Sequence, residues 1–170
     1  MPYLRSAAMA CLLSGLVACA SIPPARAAKP DFGGEWSVKW CDKTDPQADC
    51  GGFYLSLVQE GDRLCGSYNG ARVRLSQIDD GGSRAIHGVV VGDTAVLTIE
   101  SGRSGAIYLV SASVRGDRMR WKMRDTVREA DQDIDIIARD DELRRRPPGD
   151  ELSERHADTV AACRAANENS

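Results

Sequence analysis

From Asp31 to Asp141 the chain consists of short segments in which apolar and polar residues alternate, separated by Gly/Asp turns. A period of two punctuated this way restricts the chain to antiparallel sheet. The turns are Glu60-Gly61-Asp62, Asp79-Asp80-Gly81-Gly82, Gly92-Asp93, Gly102 to Gly105 and Gly116-Asp117. Trp36, Val38 and Trp40 share one face of the first segment, Phe53, Leu55 and Leu57 one face of the second, and Met119, Trp121 and Met123 one face of a late one. Strands are expected near 34–41, 52–59, 63–70, 84–91, 94–100, 106–115, 118–124 and 132–138. Residues 73–78 form either a ninth strand or a continuation of the third, because Asn69-Gly70 is a two-residue hairpin signal. A meander of this length removes its open edges by closing on itself. The expected fold is therefore all-β: an antiparallel meander barrel of about eight strands over 31–141, followed by a C-terminal helical segment over 142–170. The helix itself is expected over 150–166, behind Pro147-Pro148-Gly149 and with Asp150 as its N-cap.

Residues 1–28 precede this domain and read as an export signal and tether. A basic start at Met1 to Arg5 leads into the apolar run Ala7 to Ala20, which is too short to span a bilayer as a stable helix. Two processing routes are open. Leu16-Val17-Ala18-Cys19 resembles the bacterial lipobox, in which Cys19 would be acylated and become the first mature residue, whereas Ala25-Arg26-Ala27 fits an ordinary small-x-small cleavage site. Either route implies the bacterial cell envelope, as a lipoprotein on the periplasmic side of a membrane or as a periplasmic or secreted protein. Any membrane attachment would come from that N-terminal lipid alone.

Export changes the cysteine count. Of six cysteines, Cys11 and Cys19 fall in the signal, leaving Cys41, Cys50, Cys65 and Cys163 for two disulfides in an oxidising compartment. In an up-down-up meander Cys41 and Cys50 meet at one end, and Cys65, near the start of the third strand, is left for Cys163 on the helix. No CxxC spacing and only two histidines argue against zinc. Net charge is −3, with lysine and arginine spread along the chain, which sets nucleic acid aside as a partner.

One strand carries a basic face, Arg118, Arg120, Lys122 and Arg124, and the segment after it alternates Asp131, Asp133 and Asp135 with Gln132, Ile134 and Ile136. A hairpin with Lys122 opposite Asp133 satisfies both faces and is preferred to an anion site. The same acidic residues with Glu142 match an EF-hand at four positions, but Ile136 occupies the position that needs glycine, so no calcium site is expected.

Catalytic groups are sparse. His87 and His156 have no nucleophile in a recognisable motif, and no cofactor is implied, so the chain is expected to act by binding and not as an enzyme. Gly34-Glu35-Trp36 resembles the Gly-x-Trp of lipocalins and related calycin-type barrels, where the tryptophan plugs one end under an arginine from near the last strand, a role that falls to Arg139. That resemblance implies a carrier, with Trp36, Trp40 and Trp121 around a small apolar ligand. Ser104-Gly105-Ala106-Ile107-Tyr108 resembles the SGxxY loop of the periplasmic and membrane-bound inhibitors of c-type lysozyme. It implies an inhibitor or immunity-type protein against a hydrolase or toxin, with Ser104, Gly105 and Tyr108 as the binding residues and the Cys41–Cys50 loop flanking them. On the residues alone, Ser104-Gly105 also reads as plain turn chemistry, and Tyr108 as a core residue beside Val110 and Ala112.

Overall fold

A computed structural model describes residues 29–130, 136–147 and 153–168. The Cys19 lipobox, Asp131, Asp133, Asp135 and the Asp150 cap lie outside the described residues. Nine strands form: β1 (Gly34–Trp40), β2 (Gly51–Glu60), β3 (Arg63–Ala71), β4 (Ile78–Asp80), β5 (Ile86–Val91), β6 (Thr94–Glu100), β7 (Ile107–Arg115), β8 (Arg118–Arg128) and β9 (Asp140–Arg145), followed by helix α1 (Ser153–Glu168). All pairings are antiparallel, and because β2 pairs with β3 as well as β1 the sheet closes into a barrel. The choice between eight and nine strands resolves physically: β4 and β5 both pair with β3, at Asn69–Ala71 and Arg63–Gly66, and so share one of eight positions around the barrel.

Asn69-Gly70 makes no hairpin. Both residues lie inside β3, and a β-carbon on Gly70 would sit 2.0 Å from the carbonyl oxygen of Ile136. The glycine serves a close backbone approach, which the dipeptide alone does not distinguish from a turn. Elsewhere the alternation holds, with Trp36, Phe53, Leu55, Leu57, Ile86, Leu97, Ile99, Val110, Met119, Trp121 and Leu143 filling the interior.

The last strand departs from expectation. The basic face of β8 meets β9, with Lys122 opposite Asp140 and not Asp133, so the sheet runs past 141 to Arg145. Charge pairing is real but comes from different acids: Arg118 with Glu142 at 2.9 Å, and Arg120 with Asp140 at 2.7 Å. Exposed pairs of this kind contribute only about 0 to 1 kcal/mol each. Register is set on the other face, where Met119 stands opposite Leu143 and both are fully buried. Ile136, Ile137 and Ala138 are buried consecutively, without alternation, and cap the barrel end instead of extending the sheet; the Ala138 carbonyl accepts from Trp121 Nε1 at 2.8 Å.

The seam between β1 and β9 has two ladder pairs, Trp36–Arg145 and Ser37–Arg144. Arg145, and not Arg139, covers the tryptophan: its guanidinium lies 4.1 Å from the Trp36 ring and donates to the carbonyls of Gly33 and Asp31. Gly34 fits there because its φ is +102° and a β-carbon would meet Arg145 at 3.0 Å. Arg139 lies at the opposite end, its N–H donating to Asp141 Oδ2.

Both disulfides pair as expected, Cys41–Cys50 and Cys65–Cys163. Among the described residues no helix is long and apolar enough to cross a membrane. Two disulfides fit an oxidising compartment outside the cytoplasm. Helix α1 has no apolar stripe; the side chains it turns to the outside of β2 and β3 are His156, Thr159 and Cys163. Ser56 Oγ contacts His156 Nδ1 at 2.7 Å, Ser67 Oγ contacts Thr159 Oγ1 at 2.7 Å, and Arg155 pairs with Asp80 at 3.0 Å. A helix held this way depends on its covalent bond.

Replacing both Cys65 and Cys163 by serine is expected to cost about 4 to 5 kcal/mol, against about 2 to 3 for the short Cys41–Cys50 loop. The same change should release α1 to rapid amide exchange; slow exchange over 153–168 in the double mutant would contradict it. Arg145→Met is expected to cost about 2 kcal/mol and Arg139→Met less than about 1, because only Arg145 joins a ring to two carbonyls. Equal urea midpoints would refute that ordering.

Candidate functional site

The barrel has two unlike ends. At one, β2–β3, β5–β6 and β7–β8 are joined by the two-residue turns Gly61-Asp62, Gly92-Asp93 and Gly116-Asp117, with each glycine at φ near +60°. At the other lie the longer connections 41–50, 72–85 and 101–106, together with the described residues 129–130 and 136–139 between β8 and β9. Loops of that length are where a rigid scaffold presents binding groups.

The 101–106 loop is built on Asp79, an aspartate 0% exposed on β4. Its carboxylate accepts from Ser101 Oγ at 2.7 Å and from the Arg103 N–H at 3.1 Å. The Tyr68 hydroxyl accepts from the Gly102 N–H at 3.2 Å and bonds Asp79. Arg103 also donates to the Ile78 carbonyl at 2.9 Å. Burial, followed by the negative charge of Asp79, holds the Tyr68 phenol well above the usual tyrosine range.

Ser104 and Gly105 sit at the tip of this loop, half-buried, and Gly105 takes φ +69°. Ser104 Oγ accepts from the Ala106 N–H at 3.2 Å and its N–H donates to Ser101 Oγ at 3.1 Å, which is turn chemistry. Tyr108 is different. It lies on β7 opposite Ile99, 7% exposed, within the core and beside Val110 and Ala112 on the inward face. The structure therefore does not bring Tyr108 to the surface with Ser104; a strand residue two after an inward Ala106 must also point inward.

The Cys41–Cys50 loop stands at the same end. Asp42 accepts from Thr44 Oγ1 at 2.6 Å and from the Thr44 N–H at 2.8 Å, and these bonds lower its pKa. Arg74, in the short 3-10 turn Val73–Leu75, reaches Asp45 at 3.0 Å and Asp42 at 3.6 Å, and its N–H donates to the Asp49 carbonyl at 2.8 Å. Two long loops are thereby locked into one body.

The three tryptophans do not surround a common space. Trp36 is at the tight-turn end under Arg145; Trp121 lies mid-barrel, 5.7 Å from Phe53; and Trp40, 6.4 Å from Phe53, donates to Asp141 at 3.0 Å near the long-loop rim. Phe53 also packs 5.5 Å from Tyr68, so one ring occupies the centre between three others. Among the described residues no group of three or more His, Cys, Asp or Glu is arranged to hold a metal ion. Glu142, the EF-hand candidate that is described, lies in β9 paired with Arg118. His87 is exposed on β5, and His156 meets Ser56 beneath α1 with no described carboxylate orienting its far nitrogen.

Compared with known protein families, curated proteins and solved structures, the chain finds no match.

Residues that sequence reasoning passed over do most to shape this end. Asp79 is buried while its neighbour Ile78 is exposed, the reverse of what hydrophobicity would suggest, so β4 could not be read from pattern. A phenol whose pKa is raised on folding contributes stability that is fully present below about pH 10, its ordinary value, and is lost as pH rises above it, because the unfolded chain then releases the proton first. Tyr68→Phe is accordingly expected to be less stable at neutral pH, with a flatter decline between about pH 9 and 11 than wild type. Parallel slopes in denaturant titrations across that window would remove Tyr68 from this account.

Proposed function

We propose that this chain is an exported, non-catalytic envelope protein that acts by binding a protein partner through the long-loop end of its barrel, with a lysozyme-like hydrolase as that partner. The observation carrying this reading is the contrast between a filled interior and a built-up rim. A carrier needs an internal apolar void of several hundred cubic ångströms, whereas Phe53 stands among Trp40, Tyr68 and Trp121 where a ligand would lie. The rim, by contrast, holds two loops braced by a disulfide, two ion pairs to Arg74 and a buried carboxylate. In this reading Ser104 and Gly105 contribute through loop shape, and Tyr108 supports the loop from the core.

The tether supports the same orientation. Lys29 pairs with Asp62 at the tight-turn end. Acylation at Cys19 would hold that end toward the membrane on a linker of about ten residues, roughly 20 to 35 Å when extended, and turn the long loops outward.

The purified mature chain is expected to slow cell-wall lysis by a c-type lysozyme with 1:1 stoichiometry, and Ser104→Arg at the rim should weaken this while Asp93→Arg at the tight turns should not. Undiminished lysis at a molar excess would refute the hydrolase as partner. Stoichiometric uptake of an apolar fluorophore quenching tryptophan emission would favour the carrier instead.

A further inference from the structure

We propose that the cleft between α1 and the outer faces of β1, β2 and β3 is a binding site for a neutral saccharide, separate from the long-loop rim and independent of the protein partner assigned to that rim. The cleft has a volume of about 350 Å³ and lies under the first half of α1. A helix laid on a sheet ordinarily buries apolar side chains between the two. Here the covered surface is polar, and holding the helix uses only part of that polarity.

Strand register assembles the floor. Glu35, Ser56 and Ser67 stand side by side across β1, β2 and β3, and Tyr54, Asn69 and Asp80 form the next outward row across β2, β3 and β4. Ser56 and Ser67 are taken by His156 and Thr159 at 2.7 Å each. The walls are braced too. On one side Asp80 pairs with Arg155 at 3.0 Å and accepts from the Gly82 N–H at 3.1 Å. On the other the Arg146 N–H donates to the Glu35 carbonyl at 2.9 Å, and its guanidinium lies 5.3 Å from the Tyr54 ring centroid.

Four polar groups lining the cleft are left over. Among the described residues the Glu35 carboxylate, the Tyr54 hydroxyl, the Asn69 amide and the Asp158 carboxylate make no hydrogen bond or ion pair, although Glu35, Tyr54 and Asn69 are half-buried. Polar groups withdrawn from water in a fixed frame are normally paired, so an unpaired set converging on one cleft marks a preformed site.

The donor set selects the ligand. The two carboxylates only accept, whereas the phenol and the amide both donate and accept. The ligand must therefore present several donors interleaved with acceptors, as the hydroxyls around a sugar ring do. An anion would face Glu35 and Asp158. An ammonium would supply donors alone, and the aromatic face it would seek already carries the Arg146 guanidinium. Across the lining three carboxylates stand against two guanidinia, so the field draws in no strongly charged molecule.

The test is an isotope-edited NMR titration of the purified mature chain with chitotetraose and with maltotetraose, alongside thermal unfolding. At least one saccharide is expected to shift the amides of 35, 54, 69, 80–83 and 155–159 saturably, with 101–106 and the tight turns unmoved. Asp158→Ala, at an exposed helical position, should weaken that binding about tenfold while the unfolding temperature holds or rises. Asn69→Leu, which removes a donor and an acceptor at similar size, should also weaken it about tenfold, and Asp93→Asn at a tight turn should leave it unchanged. Three results would each overturn the site: no saturable shift at these amides by about 20 mM of either saccharide, where millimolar binding would register; affinity within about twofold of wild type in both cleft variants; or saturation of the same amides by spermidine below the concentration either saccharide needs. Lysozyme is absent from the titration, so failure here leaves the proposed function standing, and failure of that function leaves this site standing.

Discussion

Everything in this molecule depends on closing the β1–β9 seam. Seven of the eight junctions around the barrel are local or near-local meander pairings, but the last brings residue 36 against residue 145 with two ladder pairs. Side chains complete what the backbone leaves short. At the tight-turn end Arg145 lies on the Trp36 ring and ties down Gly33 and Asp31, and Trp36 Nε1 donates to the Phe32 carbonyl at 2.9 Å. At the other end the Trp40 indole reaches Asp141, three residue pairs beyond Ser37–Arg144 in the same register. Closure lets Trp36, Phe53 and Trp121 leave solvent completely, and each such aromatic carries roughly 150 to 250 Å² of burial. A barrel sealed that way has little interior left to offer a ligand.

The sealed core and the uneven ends are connected. Two-residue Gly-Asp turns at one end set strand register with minimal loop entropy, and the longer connections accumulate at the other, where 41–50 and 101–106 are braced by polar contacts while Ile136, Ile137 and Ala138 are held by apolar burial. Asp79 is the clearest case: a buried carboxylate retained because Ser101, Arg103 and Tyr68 satisfy it, which fixes the 101–106 loop more firmly than an apolar residue would. The helix follows the same logic. It lacks an apolar stripe, and a disulfide spanning 98 residues with hydroxyl and imidazole contacts holds it to β2 and β3.

Much of the fold was legible because period two and Gly-Asp turns are local signals. The meander, its closure, the two disulfides and the inward aromatics could all be reasoned from residue spacing. The last strand could not, because Asp131, Asp133 and Asp135 offer the same charge alternation as Asp140 and Glu142, and only the burial of Leu143 against Met119 distinguishes them. Arg139 and Arg145 were indistinguishable for the same reason: the choice follows from that register. The site was less legible. Ser104-Gly105 was found as a turn, but Tyr108 carries the inward phase of its strand.

The central claim is that the protein partner is recognised at the long-loop end and at no other surface. Hydrogen exchange of the free chain against its complex with a c-type lysozyme addresses it in a single experiment. The account predicts protection confined to 41–50, 72–78 and 101–106, with 61–62, 92–93 and 116–117 unchanged. Protection at the tight turns, or spread through the inward strands around Phe53, would contradict it.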